Sequence, residues 1–137
     1  MLIQTQAAVD YASSLSSALT PRSFYEAYCW VVYSCAIGES KLMAIWPDLA
    51  RIYQNFDPYT VNKDIATELE EWVDPKIALG PSQCALMIQL FGWEQFYQQF
   101  IKTSDPKRTL ATLRGLDWLN VQRLGHLLNM EWANSVS

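Results

Sequence analysis

The side chains that most often bind metals or attack substrates are scarce in this chain. Its 137 residues include one histidine, His126, and three cysteines, Cys29, Cys35 and Cys84, with no C-x-x-C pair of the kind that a zinc site uses. Each cysteine lies in an apolar segment, where a reduced and buried thiol is the usual state. We therefore predict no metal and no cofactor. Because the N-terminal segment also lacks the pattern of a signal peptide, we expect a cytoplasmic protein.

Carboxylates do not form a clear catalytic pair either. Glu26 follows Ser23 with the S-x-x-E spacing of a capping box, so we interpret it as part of a helix start. A second acidic group is typical of a solvated helix face: Glu68, Glu70 and Glu71. Glycine-rich phosphate loops, nucleophile elbows and kinase motifs are absent from the sequence. An enzyme that uses Glu26 or Glu39 is thus our least favoured interpretation, and no catalytic residue is assigned.

Charge is distributed unevenly along the chain. The net charge is -4 at pH 7, which argues against a protein that coats nucleic acid non-specifically. Residues 101–137, however, hold five basic and three acidic side chains, a net charge of +2. The basic residues there are Lys102, Lys107, Arg108, Arg114 and Arg123. We therefore expect any phosphate-binding surface to lie in this C-terminal quarter.

These side chains must be positioned by helices. The most apolar helix is predicted at the centre of the fold. In Phe24–Ile37, FYEAYCWVVYSCAI, Glu26 is the only charged residue, and apolar groups recur on every helical face. This pattern predicts a buried central helix in which Trp30, Val31 and Cys35 are almost fully buried. A membrane span takes about 20 apolar residues, so this shorter run predicts no membrane insertion. A group of aromatic side chains at helical spacing, later in the chain, is also expected in the core: Trp72, Trp93, Phe96, Tyr97 and Phe100.

Four prolines mark helix starts, because each follows a residue that can cap a helix: Thr20-Pro21, Asp57-Pro58, Asp74-Pro75 and Asp105-Pro106. We expect Ser82 to cap another long helix and Pro47 to break or kink its own. The predicted helices are 4–19, 23–37, 40–56, 58–72, 82–103, 106–114 and 118–132. No segment alternates with the period of a strand. The predicted fold is one all-α domain, residues 1–137, forming a compact orthogonal bundle of about six or seven helices around the central helix.

Five segments follow one another in an informative order. They are an apolar helix ending in small residues, an amphipathic helix, an F-D-P-x-x-V phrase, an acidic helix with a lysine-containing turn, and a long helix. In this chain they are Cys35-Ala36-Ile37-Gly38, Leu49–Tyr53, Phe56–Val61, Ala66–Lys76 and Cys84–Ile101. Over roughly residues 24–130 this order resembles the helix-hairpin-helix DNA glycosylase superfamily, most of all its 3-methyladenine glycosylase layout. The resemblance places the family's DNA-gripping hairpin at Leu113–Gly125.

The resemblance implies DNA binding without the family's usual chemistry. The implied DNA-binding residues are Lys107, Arg108, Arg114, Gly115, Trp118, Asn120 and Arg123. Trp118-Leu119-Asn120 occupies the place of the family's Gly-x-Gly turn, where Asn120 is the residue able to take a left-handed conformation. The hydrolytic Asp beyond the hairpin has no counterpart, and Gln122-Arg123 stand where lyase members carry a Lys. The zinc-binding residues of the 3-methyladenine branch are missing as well.

Two function classes stay open. In the first, the chain is a glycosylase-like DNA-binding protein whose basic side chains contact phosphates while Trp118 wedges into the duplex or stacks on a base. In the second, it is a small acidic module that binds another protein, and inhibits a nucleic-acid-processing enzyme by offering carboxylates in place of phosphates. The order of elements and the basic hairpin favour the first class. The acidic balance favours the second.

Overall fold

A computed structural model of the chain describes residues 19–61 and 74–134. Every regular element within these ranges is helical, which confirms the all-α prediction. The α-helices are α1, Pro21–Ile37; α2, Glu39–Ile52; α3, Leu79–Phe91; α4, Trp93–Phe96; α5, Pro106–Leu110; α6, Asn120–Leu127; and α7, Glu131–Asn134. A 3₁₀ turn, Pro75–Ala78, precedes α3, and a π-helical turn, Tyr97–Ile101, follows α4. The predicted helices 4–19 and 58–72 lie almost entirely outside the described residues. Four residues discussed above also lie outside them: Glu68, Glu70, Glu71 and Trp72.

A reciprocal cap starts α1. The hydroxyl of Thr20 accepts a hydrogen bond from the Ser23 amide, and the hydroxyl of Ser23 accepts one from the Thr20 amide, both at 3.0 Å. Pro21 takes the first helical position, where it has no intrahelical amide bond to lose. The capping role predicted for Glu26 is therefore wrong, because Ser23 is the inner residue of a box that begins at Thr20.

The other capping residues that precede prolines also bind backbone amides. Asp74 accepts a hydrogen bond from the Lys76 amide at 3.0 Å, and Asp105 accepts one from the Arg108 amide at 3.3 Å. Both residues stand directly before a short helix, as the cap-proline pattern predicts. These carboxylates therefore stabilise the first turn of their helices.

Most of α1 lies inside the hydrophobic core. All residues from Ser23 to Ser34 except Glu26 are buried, with Trp30 only 2% exposed and Val31 fully enclosed. The predicted burial of Trp30 and Val31 is confirmed. That of Cys35 is wrong, because the last turn of α1 leaves the core and exposes the thiol.

The other two cysteines are buried and unpaired, as predicted. Cys29 lies on α1 and Cys84 on α3, and neither forms a disulfide. Burial raises the pKa of both thiol groups above their ordinary value, because a thiolate is poorly solvated in an apolar core. Both thiols therefore stay protonated and serve as small core side chains.

Three buried tyrosines on α1 bind other elements through their hydroxyl groups. Tyr25 donates to a carbonyl in the first turn of α3 at 2.7 Å, and Tyr28 donates to the carbonyl of Arg114 at 2.5 Å. The hydroxyls of Tyr33 and Tyr53 share a hydrogen bond. An unpartnered buried hydroxyl costs roughly 1–3 kcal/mol, so these bonds help to place α3, the segment around Arg114 and the turn after α2.

The path of α2 differs from the sequence prediction at Pro47. The helix is continuous from Glu39 to Ile52, so the predicted break is wrong. Pro47 lies on the exposed side of the helix, where water can replace the hydrogen bond that its ring removes. The helix ends in a turn with three consecutive positive φ angles, at Gln54, Asn55 and Phe56.

The long helix predicted over 82–103 is divided at Gly92. α3 begins at Leu79, so Ser82 lies inside the helix and does not cap it. Gly92 has a φ of 83°, a conformation that favours glycine. The next amide, that of Trp93, donates to the hydroxyl of Tyr59 at 2.9 Å. This contact with a residue far away in sequence accompanies the change of direction.

Aromatic side chains fill the space around α1. Trp30 packs edge-on against Trp46 with ring centroids 4.9 Å apart, an arrangement that adds to the energy of burial. Among the later aromatic residues that were expected in the core, Phe96 and Phe100 are buried as predicted, whereas Trp93 is half-buried. The core is thus continuous from α1 to the end of α4.

Replacing Trp30 with Ala is expected to destabilise the fold by about 3 to 5 kcal/mol, as large truncations in a core do. The exposed Trp118 offers a matched control, and Trp118→Ala is expected to change the free energy of unfolding by less than about 1 kcal/mol. Urea unfolding followed by circular dichroism measures both variants. A loss below about 1 kcal/mol for Trp30→Ala would contradict the central position of α1.

Candidate functional site

The segment in which the sequence predicts a hairpin, Leu113–Gly125, contains a turn and most of α6, while α5 ends before it at Leu110. α5 and α6 pack against each other, and residues 111–119 connect them. Gly115 takes a positive φ of 89° within this connection. Asn120 does not take the left-handed conformation that was open to it, because it is the first residue of α6. The turn therefore lies at Gly115, before the predicted position at Trp118-Leu119-Asn120.

A reciprocal cap holds the second half of the connection. The carboxylate of Asp117 accepts hydrogen bonds from the amides of Leu119 and Asn120, at 2.8 and 2.7 Å. The side-chain oxygen of Asn120 accepts one from the Asp117 amide at 2.6 Å, and its NH₂ group donates to the carbonyl of Gly115 at 2.9 Å. Asn120 is buried, so it supports the turn from within.

Helices α1 and α3 hold the first half of the connection. The carbonyl of Arg114 points toward the core, where it accepts the hydrogen bond from Tyr28. A Cβ atom on Gly80 would lie 2.7 Å from that carbonyl oxygen and 2.9 Å from the Tyr28 hydroxyl. A trans peptide directs its C=O and N–H groups to opposite sides, so the Gly115 amide points away from the core. Within the described residues, the amides of Arg114 and Gly115 donate no hydrogen bond.

A groove of about 350 Å³ opens beside this turn. Val32 from α1 and Ile77 from the 3₁₀ turn line it with apolar groups, while Lys76 and Arg114 bring positive charge. Asp117 also lines the groove, but its carboxylate already binds two backbone amides. The chemistry of this lining suits a ligand with both an anionic group and an apolar part.

Arg123 lies beside the groove and is paired with an acid. Its guanidinium lies 3.1 Å from the carboxylate of Glu39 and donates to the sulfur of Cys35 at 3.5 Å. An exposed ion pair of this kind stabilises the fold little, but it places a carboxylate where a phosphate would bind. Two residues considered from the sequence, Arg123 and Glu39, thus offset each other's charge.

An apolar tip projects from the connection just before α6. Trp118 is 56% exposed and Leu119 is 82% exposed. The ammonium group of Lys107 lies 4.3 Å from the centroid of the Trp118 ring, within the range of a cation–π interaction. Arg108, the next residue on α5, is exposed as well. One face of the Trp118 ring therefore carries a positive charge.

The sequence did not identify Asp117, Tyr28 and Gly80 as residues that support the turn. The D-x-x-N spacing of Asp117 and Asn120 has the geometry of a capping box, and this signal could have identified the cap. Tyr28 and Gly80 carry no local signal for their role, because they meet Arg114 only through packing between distant parts of the chain.

Glu26, the other carboxylate considered for catalysis, lies away from this site. It is half-buried on α1 and does not line the groove. Burial raises the pKa of its carboxyl group above the ordinary value of 4.5, and the nearby guanidinium of Arg22 lowers the pKa in part. The charged form of Glu26 is therefore a cost to the fold at neutral pH.

Replacing Glu26 with Gln is expected to stabilise the fold at neutral pH, because the amide has no charge to desolvate. The folded protein holds the Glu26 proton more tightly than the unfolded chain, so wild-type stability rises as pH falls through the raised folded pKa toward 4.5. The advantage of the variant should therefore shrink over that window. Urea unfolding across this range tests it, with Glu94→Gln as an exposed control. An advantage that grows toward low pH would contradict the burial effect.

Replacing Gly80 with Ala is expected to displace the turn around Gly115. The added Cβ would collide with the Arg114 carbonyl and the Tyr28 hydroxyl, and overpacking of this kind costs about 1–3 kcal/mol. Alanine favours a helix by roughly 1 kcal/mol over glycine, so a net loss of stability would have to come from the collision. Ser82→Ala, on the same helix, is the control.

A double-mutant cycle with Tyr28→Phe makes this prediction more specific. Both changes act on the Arg114 carbonyl, so their effects on the free energy of unfolding should not add. Urea unfolding of the two single variants and the double variant gives the coupling. Additive effects, or a Gly80→Ala variant as stable as Ser82→Ala, would show that this contact does not hold the turn.

Comparisons with known proteins give no relative from which to assign this site. No family model, no curated protein and no solved structure matches the chain. In residues 19–61 and 74–134, no cluster of three or more histidine, cysteine or acidic side chains could hold a metal ion. None of the helices in those ranges combines the length and the apolar character needed to cross a membrane. The geometry around Gly115 is therefore the basis for the proposed function.

Proposed function

We propose that this chain binds DNA through the turn at Gly115, as a glycosylase-like helix-hairpin-helix protein that lacks standard base-excision chemistry. The observation that carries the proposal is the orientation of the peptide between Arg114 and Gly115. Its carbonyl is held in the core by Tyr28, so its amide faces outward on an exposed turn. An outward amide beside a guanidinium is a common way to bind a phosphate oxygen.

Side chains around the turn add charge to this contact. Lys76 and Arg114 line the same groove, Lys76 from the 3₁₀ turn before α3 and Arg114 from the position directly before Gly115. Lys107 and Arg108 lie on α5, which packs against α6, and Lys107 lies over the Trp118 ring. These four cations would contact successive phosphates. Arg123 would contribute less, because Glu39 competes for its guanidinium.

The exposed tip supplies an apolar contact to the proposed interface. Trp118 and Leu119 project into solvent, and the reciprocal cap of Asp117 and Asn120 holds their backbone. An apolar wedge on a rigid support can enter a base step, and an exposed indole can stack on an unpaired base. Lys107 covers one face of the indole and would bring positive charge close to the DNA backbone.

The proposal does not include catalysis. Gln122-Arg123 stand where the family's lyase members carry a Lys, and the acid nearest the turn, Asp117, is bound to two amides. Glu39 is paired with Arg123, and Glu26 is remote from the groove. We therefore propose a binding protein rather than an enzyme.

The alternative, an acidic module that binds or inhibits a nucleic-acid-processing protein, stays a prediction. It rests on the acidic balance of the chain, which has a net charge of -4, and on exposed aromatic side chains. The outward amide of Gly115 and the cations that line its groove suit a phosphate, so we favour the DNA-binding proposal over this alternative.

Titration of labelled duplex DNA at several ionic strengths tests the proposal. Four cations would make at most about four phosphate contacts, so the slope of log K against log salt should be about -3 to -4. Replacing Arg114 with Gln should reduce the steepness of this slope by about 0.9, because one contact is lost. Arg123→Gln should change the slope less, since its guanidinium is already paired.

Arg51→Gln is the matched control for this titration. Arg51 is an exposed arginine on α2, paired with Asp48 at 3.1 Å, and its replacement removes the same charge far along the chain from Gly115. We expect the slope for this variant to equal that of the wild type. Absence of duplex binding at the lowest salt, or equal effects of Arg114→Gln and Arg51→Gln, would refute binding at the Gly115 turn.

A further inference from the structure

The groove beside the Gly115 turn is concave and small. Its volume is about 350 Å³, near the lower end of the roughly 300–1,000 Å³ of small-ligand sites. Three parts of the chain line it: α1 through Val32 and Ala36, the 3₁₀ turn through Ile77, and the connection between α5 and α6 through Gly115. A phosphate inside a duplex is bonded to a sugar on both sides and lies on the convex surface of the DNA. A groove of this size and shape is therefore better suited to a phosphate that is bonded on one side only.

The charge of the groove also suits a terminal phosphate. A phosphate monoester carries a charge of about -1.5 to -2 at neutral pH, whereas each phosphodiester within a strand carries a single negative charge. Lys76 and Arg114 bring positive charge to the groove, and the outward amide of Gly115 adds a hydrogen-bond donor. The carboxylate of Asp117 also lines the groove, but it accepts hydrogen bonds from two backbone amides. These amides offset its charge, so both cations remain for the ligand.

The indole of Trp118 offers one face to a base. Trp118 directly follows Asp117, a residue that lines the groove. The ammonium group of Lys107 lies over one face of the ring, 4.3 Å from its centroid. The Trp118 side chain is 56% exposed, which leaves the opposite face open to a ligand. A ring inserted between two base pairs contacts bases with both faces, whereas a ring with one free face stacks on the single base pair at the end of a duplex.

We propose that the turn at Gly115 binds a DNA end, an inference that rests on the DNA binding proposed above. The groove takes the terminal phosphate, and the free face of Trp118 stacks on the last base pair. These two groups are neighbours in the DNA, and the residues beside them, Asp117 and Trp118, are neighbours in the chain. The protein therefore prefers the end of a duplex, or the end at a strand break, to continuous DNA.

Competition for a labelled linear duplex with 5′-phosphate ends tests this preference. Four unlabelled competitors share one sequence and are compared at equal concentrations of base pairs. They are the same linear duplex, a relaxed and covalently closed circle, a linear duplex with hydroxyl ends, and a linear duplex with 3′-phosphate ends. Stacking on one base should favour the linear duplex over the circle by at least about fivefold.

The phosphate arms of the competition test the groove. A duplex with hydroxyl ends should compete less well than a phosphorylated duplex, because the two cations then have no dianion to bind. The 5′- and 3′-phosphate competitors carry the same chemical group at different strand ends. The stronger of the two identifies the strand end that enters the groove.

Variants of exposed side chains separate the two contacts. Trp118→Ala should remove the preference for linear DNA over the circle, while Trp118→Phe should keep most of it. Lys76→Gln should reduce the preference for phosphate over hydroxyl ends. Lys41→Gln, which removes the same charge from an exposed position on α2, should leave both preferences unchanged. Circular dichroism checks that each variant is folded.

Each negative result has its own meaning. Equal competition by the linear duplex and the closed circle would refute end binding and leave the proposed DNA binding intact. Equal competition by phosphate and hydroxyl ends would exclude the groove from the contact and also refute the inference. Absence of binding to every duplex would refute the proposed function together with this inference.

Discussion

The fold depends on the hydrogen bonds that the buried tyrosine hydroxyls on α1 must form. Tyr25, Tyr28 and Tyr33 lie in a helix enclosed by apolar side chains, and each hydroxyl binds a group of another element. Burial raises the pKa of all three hydroxyls above the ordinary value, so they remain neutral donors. Hydrophobic burial has no direction, whereas these bonds do. They therefore help to specify which parts of the neighbouring elements face α1.

The candidate site follows from one of these bonds. Tyr28 holds the Arg114 carbonyl inward, and Gly80 leaves room for this close approach. Asp117 and Asn120 hold the other half of the connection. The exposed amide of Gly115 is thereby fixed between two supported segments. A fixed donor binds an anion without first losing conformational entropy, so the core of the protein contributes to the proposed phosphate contact.

Local sequence signals predicted much of the fold and little of the site's geometry. A run of residues with a single charge must be buried on every face, which predicts α1, and Asp105 before a proline predicts the start of α5. The amide that follows the break at Gly92 donates to Tyr59, a residue far away in sequence, and no local pattern indicates this contact. The exposure of Cys35 depends on where α1 leaves the core. The basic residues of the site were predicted from composition, but the contact between Gly80 and the Arg114 carbonyl exists only in the packed fold.

The exposure of Leu79, Leu86 and Leu90 on α3 is a consequence of the same packing. A rotation of α3 that turned its leucines inward would move Gly80 away from the Arg114 carbonyl. It would also pull the first-turn carbonyl of α3 away from the hydroxyl of Tyr25 and bring Ile88 out of the core. Each of these losses leaves a polar group unpaired or an apolar group exposed. The packing of α3 on the core therefore leaves these three leucines exposed.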